Sequence, residues 1–231
     1  MAEPNLMESD QLALRLTQSI TFPQDYVEEW GADNMMLYDA AIVEALSIST
    51  ASKRFLTEIG FKRRAASLVP RWVPCPLSTL PVFGRVFGDK YNIPSEFSHY
   101  RVFDISADEE DLEAFLCIDE KAEGRIMSVQ TQWYGYDKID TSYLNASILQ
   151  YAEFLLTYMQ YSRWGYLRQK ERQQFGRPLP HKEVEMLGKS IRQKLLEIDP
   201  TAFATTADEY GDLIDWEKFL LSNEADMGCS L

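Results

Sequence analysis

Between Tyr100 and Trp164 the hydrophobic pattern switches from strand-like alternation to a helical period, and this switch restricts the fold more than any other feature. Three short runs, residues 100–105, 114–119 and 125–131, are rich in β-branched and aromatic side chains. Acidic or Gly-bearing connectors separate them, which predicts neighbouring antiparallel strands. A polar loop containing Trp133, Tyr134, Gly135 and Tyr136 follows. From Ile148 onward, Ile148, Tyr151, Ala152, Leu155, Met159, Tyr161 and Trp164 fall at helical spacing and mark one face of a long helix. Asn145 and Ser147 each offer an oxygen to the unpaired N–H groups of its first turn, and Ser147 with Gln150 has capping-box spacing. Burying about five large side chains of that face, at roughly 1.5–3 kcal/mol each, outweighs the few tenths at stake in local propensity. The expected fold class is α+β: a mainly antiparallel sheet with helices packed on it.

Upstream, residues 22–30 read as a short helix, with Pro23 near its first turn and Gly31 closing it. Asp33 or Asn34 is expected to cap a second helix with Tyr38, Ala41, Ile42, Ala45 and Leu46 on one face. Ser52 is expected to cap a third that ends at Gly60. Residues 12–16 fit either the start of a strand or the start of a helix. Pro70, Pro74, Pro76, Pro81 and Pro94, with Gly84 and Gly88 between, break residues 68–94 into ordered loop with edge pieces such as residues 80–83. Downstream, Arg163, Arg168, Lys170, Arg172 and Arg177 mark the polar end of the long helix, where cations favour the macrodipole. A further helix is expected from about His181 to Ile198, with Val184, Leu187, Ile191, Leu195 and Ile198 on its apolar face and Asp199-Pro200 stopping it. A last helix would hold Leu213, Trp216, Phe219 and Leu220. Residues 1–10 and 222–231 read as loose ends of one domain spanning 1–231.

The charge excludes several function classes. Thirty-six acidic against 23 basic residues leave a net charge of −13. That argues against direct binding to nucleic acid or to a membrane, and it would steer a basic partner, although the same charge also serves solubility alone. The N-terminus lacks a basic stretch followed by an apolar run, and no segment approaches the length of a membrane span. Cys75, Cys117 and Cys229 have neither metal-ligand spacing nor an even count, so a reducing, cytoplasmic setting is expected and Cys117 reads as a small buried residue.

Catalytic signatures are missing. With His99 and His181 as the only histidines, a His-based metal site has little to draw on, and no cofactor is expected. No Gly-x-Ser-x-Gly elbow or Walker sequence occurs, and the segment Phe83-Gly-Arg-Val-Phe-Gly88 matches no phosphate-cradling fingerprint. A Cys–His couple would have to join Cys75 or Cys117 to His99. Asp104 and Asp119 end neighbouring strands; facing one another they would suit acid–base work or a divalent ion, whereas separate strand-end acids simply face water. The chain is expected not to be an enzyme. A stronger constellation is acidic and aromatic together. Asp108, Glu109, Glu110 and Asp111 lie in one connector, Asp119 and Glu120 in the next, and Trp133, Tyr134 and Tyr136 follow the third strand. Negative charge raises the association rate with a cationic partner, and aromatics supply central anchoring contacts; solvated turns and aromatics closing the core edge are the plainer alternative.

The strand series followed by Leu144-Asn-Ala-Ser-Ile148 and an amphipathic helix resembles the SUKH superfamily, in which an Asn-x-Ser-apolar step opens the helix after the sheet. Leu56-Thr-Glu-Ile-Gly-Phe61 resembles an upstream step of that superfamily's fourth group, and Glu197-Ile-Asp-Pro-Thr-Ala202 with Trp216 resembles its C-terminal segment. Its first hairpin connector is acidic where the pattern has a Gly-rich turn, which bears on partner choice, and its tail has one Trp where a pair is common. The resemblance implies a SUKH-like fold and a non-enzymatic immunity protein of a bacterial polymorphic toxin system. Such a protein would bind and neutralise a cognate toxin, often a nuclease with a basic surface. The alternative within the same fold is a protein-binding adaptor or regulator.

Overall fold

The computed structural model describes residues 22–62, 77–86, 93–107, 113–131, 139–174 and 181–203. The ends of the chain, the expected helix around Leu213 to Leu220, Cys75 and Cys229 lie outside these residues.

Four strands form an antiparallel meander: β3 (Tyr100–Ala107), β4 (Glu113–Asp119), β5 (Arg125–Thr131) and β6 (Ile139–Asn145), in the spatial order β3-β4-β5-β6. The first three are the strands expected from alternation. The fourth corrects the expectation of a polar loop running to the helix. Its sequence, Ile-Asp-Thr-Ser-Tyr-Leu-Asn, has no clean apolar alternation, and it is a strand because its backbone pairs with β5. The sheet is buried on both faces. Phe115 and Cys117 of β4 face one layer while Leu116 and Ile118 face the other. A register slip between Val102 and Asp104 turns Phe103 toward the helices while Val102 and Ile105 both face the opposite layer.

The helical layer is built on α5 (Ile148–Gln174), which packs with α6 (His181–Ile198), with α1 (Gln24–Trp30) and with α3 (Thr50–Arg54). Ser147 accepts a hydrogen bond from the Gln150 N–H at 3.2 Å and caps α5 as its spacing predicts. Its burial exceeds one stripe. Phe154, Leu156, Thr157, Tyr158 and Gln160 are buried along with Tyr151 and Ala152, whereas Leu155 and Met159 are only half-buried. Neighbours on several sides, rather than the sheet alone, explain this. α6 spans the residues its periodicity predicts, and Ile191 and Leu195 are buried.

At the N-terminal side, Gly31 ends α1 at φ 79° as expected. The next two caps differ from expectation. Met35–Met36 form β1, paired with β2 (Phe61–Lys62), so Asp33 and Asn34 sit in a 3₁₀ turn before a strand. Asp39 caps α2 (Ala40–Ala45), its side chain accepting from the Ala41 and Ile42 N–H groups. On this helix Val43 is buried, as are Tyr38 and Leu46 beside it, but Ala41 and Ala45 are exposed. Ser49, not Ser52, caps α3, which continues as a π turn over Phe55–Ile59. Gly60 closes that turn at φ 75°, and a Cβ there would overlap the Met36 carbonyl oxygen. The following residue, Phe61, sits among Phe55, Phe103 and Tyr151 at ring separations of 5.2, 4.8 and 5.8 Å, so one aromatic side chain joins the N-terminal helices to the sheet and to α5.

The second layer comes from the Pro-broken segment. Val82 bridges Arg101, and Pro81 accepts from the Val102 N–H at 2.9 Å, so this piece lies along the β3 edge as expected. Phe83 and Val86 of α4 (Phe83–Val86) are buried there with Leu77, Phe115 and Val129.

Candidate partner-binding surface

The meander sorts the predicted contact residues into two groups. Ala107 pairs with Glu113, Glu113 with Thr131 and Thr131 with Ile139, so the connectors 108–112 and 132–138 leave the same end of the sheet. These connectors contain Asp108, Glu109, Glu110, Asp111, Trp133, Tyr134 and Tyr136, all of which lie outside the described residues. Asp119 and Glu120 are at the opposite end.

That opposite end is tightly built. Asp119 is 7% exposed, caps the following 3₁₀ turn by accepting from the Lys121 N–H at 2.9 Å, and lies 3.6 Å from His99 Nε2. Glu120 accepts from Arg101 Nε at 2.6 Å. Gly124, at φ 90°, completes the turn against Ile48. Both acids therefore brace the β4–β5 turn. Asp104 and Asp119 do not face one another: Asp104 pairs with Leu116 and Asp119 with Tyr100, three positions apart on β4. Beside the register slip in β3, Asp104 accepts a hydrogen bond from the Ile105 N–H at 2.8 Å, and its charge helps raise the buried Tyr26 and Tyr38 phenols, chiefly raised by burial.

Asp199 is the hub that sequence reading missed. It is 1% exposed, and its Oδ2 accepts from the Tyr143 hydroxyl at 2.9 Å, Asn145 Nδ2 at 3.3 Å and the Ala146 N–H at 2.8 Å. Oδ1 accepts from the Thr201 N–H and hydroxyl at 3.0 and 2.6 Å. Burial alone would raise this carboxyl, but hydrogen bonds from Thr201, Ala146 and Tyr143 outweigh it and hold the pKa below the ordinary carboxylate value. Tyr143 moves the other way: burial pushes its phenol up to about 12 against the pull of Thr201, with Asp199 adding to the rise. Gln150 Nε2 also donates to the Ile198 carbonyl at 3.1 Å. The Asn145 amide nitrogen thus points to α6's end. The signal was present in sequence, because Asn145 and Asp199 each head a motif, but their meeting is a tertiary fact.

The chemistry available elsewhere is limited. Cys117 is fully buried, donates to the Phe115 carbonyl and has its pKa pushed up by burial, so it is no thiolate nucleophile. Among the described residues, no group of three or more His, Cys, Asp or Glu side chains is placed to hold a metal ion, and no helix is long and apolar enough to cross a membrane.

The sequence profile of the SUKH-4 immunity protein family matches residues 23–212, which includes both sheet ends, the Gly60 turn and the Asp199 hub. No curated protein and no solved structure matches the chain.

Proposed function

Because the chain belongs to the SUKH-4 immunity protein family, we propose that it protects its producing cell by binding a cognate toxin of a polymorphic toxin system one to one. It acts in the cytoplasm without catalysis or cofactor, covering or distorting the toxin's active site. The toxin is a nuclease with a basic surface, matched to a chain of net charge −13, and neither nucleic acid nor membrane is a partner.

The observation that carries the family reading is the match over residues 23–212. What supports the surface reading is the meander, which sends the connectors bearing Asp108, Glu109, Glu110 and Asp111 and bearing Trp133, Tyr134 and Tyr136 from one end of the sheet. Acids there steer the toxin and aromatics anchor it. Asp119 and Glu120, expected as part of the same surface, lie at the other end of the sheet as braces of the β4–β5 turn and are assigned no toxin contact.

The test is co-expression of the neighbouring gene's product with and without this protein, scoring growth and co-purification. Rescue with a stable complex is the expected result; toxicity without rescue, or rescue without a complex, would turn the reading to an adaptor. Neutralising Asp108, Glu109, Glu110 and Asp111 together is expected to slow association by ~10-fold at low salt and to flatten its salt dependence. An unchanged association rate would remove that connector from the interface.

A further inference from the structure

β6 is buried unequally on its two sides. Ser142 and Leu144 are 2% and 3% exposed beneath the helical layer, whereas Ile139, Thr141 and Tyr143, which alternate with them, are half-buried. The reach of the second layer explains the difference. Its segment 77–86 lies along the β3 edge and sets Phe83 against Phe115 of β4 at a ring separation of 5.3 Å. Toward β6 that cover runs out. Phe115 and Val129 are fully buried, but Thr141, next in the same cross-strand row, is half-buried. In the rows on either side, Met127 and Ile139 are half-buried at the margin of the same apolar cluster. Met127, Ile139 and Thr141 form an uncharged, mainly apolar strip on the outer face of the last two strands.

The strip runs into the connector end of the sheet. Ile139 pairs with Thr131, and this pair closes the connector that bears Trp133, Tyr134 and Tyr136. Area is the reason to join the two. A stable interface takes about 20–30 residues, or roughly 800 Å², from each partner. Connectors 108–112 and 132–138 offer only five and seven residues, so a toxin held there also covers surface beside them. On the helical side that surface is closed, because Gln130 and Ser142 are 7% and 2% exposed. The opposite face is the one left open. Its apolar character suits the centre of an interface, and the acids of 108–112 then fall at the polar rim.

We propose that the outer face of β5 and β6, at Met127, Ile139 and Thr141, is the apolar centre of the toxin interface. It takes uncharged aliphatic or aromatic side chains of the toxin, while the toxin's basic groups meet the acidic connector. This rests on the immunity reading, and dissociation kinetics separate the two. The neighbouring gene's product is co-expressed with the full chain, and release from the purified complex is followed by exchange against labelled unaltered chain. Thr141→Arg sets bulk and positive charge on the face and is expected to speed release ~10-fold or more; Met127→Ala is expected to speed it ~3-fold or more. Neutralising the four connector acids acts on association instead. Melting of each free variant is recorded alongside, and if Thr141→Arg melts early, Thr141→Gln replaces it with the same expected direction. A complex that forms but releases all variants at the unaltered rate overturns this proposal and leaves the immunity reading standing. Absence of any complex with the unaltered chain overturns both. If the free chain self-associates in sedimentation and Thr141→Arg abolishes that association, the face belongs to a second copy, which also overturns the proposal.

Discussion

Asp199 is a buried carboxylate held ionised by donors from two stretches of chain, residues 143–146 and its own neighbour Thr201. Replacing it with Ala leaves Asn145, Ala146 and Thr201 donors unpaired in a closed site and is expected to destabilise the protein by roughly 2–4 kcal/mol, read as a lower urea midpoint. Its folded pKa lies below the unfolded value. The contribution is therefore complete above the ordinary carboxylate range and is lost as pH falls through the folded value. Asp199→Asn is expected to show a flatter stability curve on that acid limb than the unaltered chain, and parallel curves would discount the ionised form. Gly60 makes a different demand on its position. Its positive φ and the nearby Met36 carbonyl leave no room for a Cβ, so Gly60→Ala is expected to cost roughly 2–4 kcal/mol, tested by thermal melting.

At the scale of elements, capping and aromatic packing govern. Ser147→Ala removes the acceptor for the Gln150 N–H and is expected to cost about 1 kcal/mol in chemical denaturation. Phe61→Ala, by emptying the ring cluster between the N-terminal helices, the sheet and α5, is expected to cost about 3–5 kcal/mol. Strong periodicity made β3, β4, β5, α5 and α6 legible in the sequence. β6 was not, because a strand held by backbone pairing need carry no apolar alternation of its own. The Asp39 and Ser49 caps were missed for a related reason. Several Ser, Asp and Asn residues compete near each helix start, and the short β1–β2 pairing decides where the chain is free to turn. The motifs that carried the resemblance were legible as motifs but not as architecture: Gly60, Asn145 and Asp199 hold the fold together. For the contact surface, the sequence marked which connectors are acidic or aromatic, while only strand register tells which of them share an end.

For the whole molecule, the Phe61 cluster and the Asp199 hub tie distant stretches of chain together. Reading 1–231 as one domain therefore predicts a single cooperative unfolding transition, with far-ultraviolet dichroism and tryptophan fluorescence changing together. Two separated transitions would divide it. The meander has a further consequence for engineering. The parts that hold this fold, around Gly60, Phe61, Asn145 and Asp199, are not the connectors assigned to recognition. On the proposed reading, segments 108–112 and 132–138 are separable from that frame: transplanting both from another family member is expected to carry toxin preference with them, and transplanting either alone is expected to carry only its charge or only its rings.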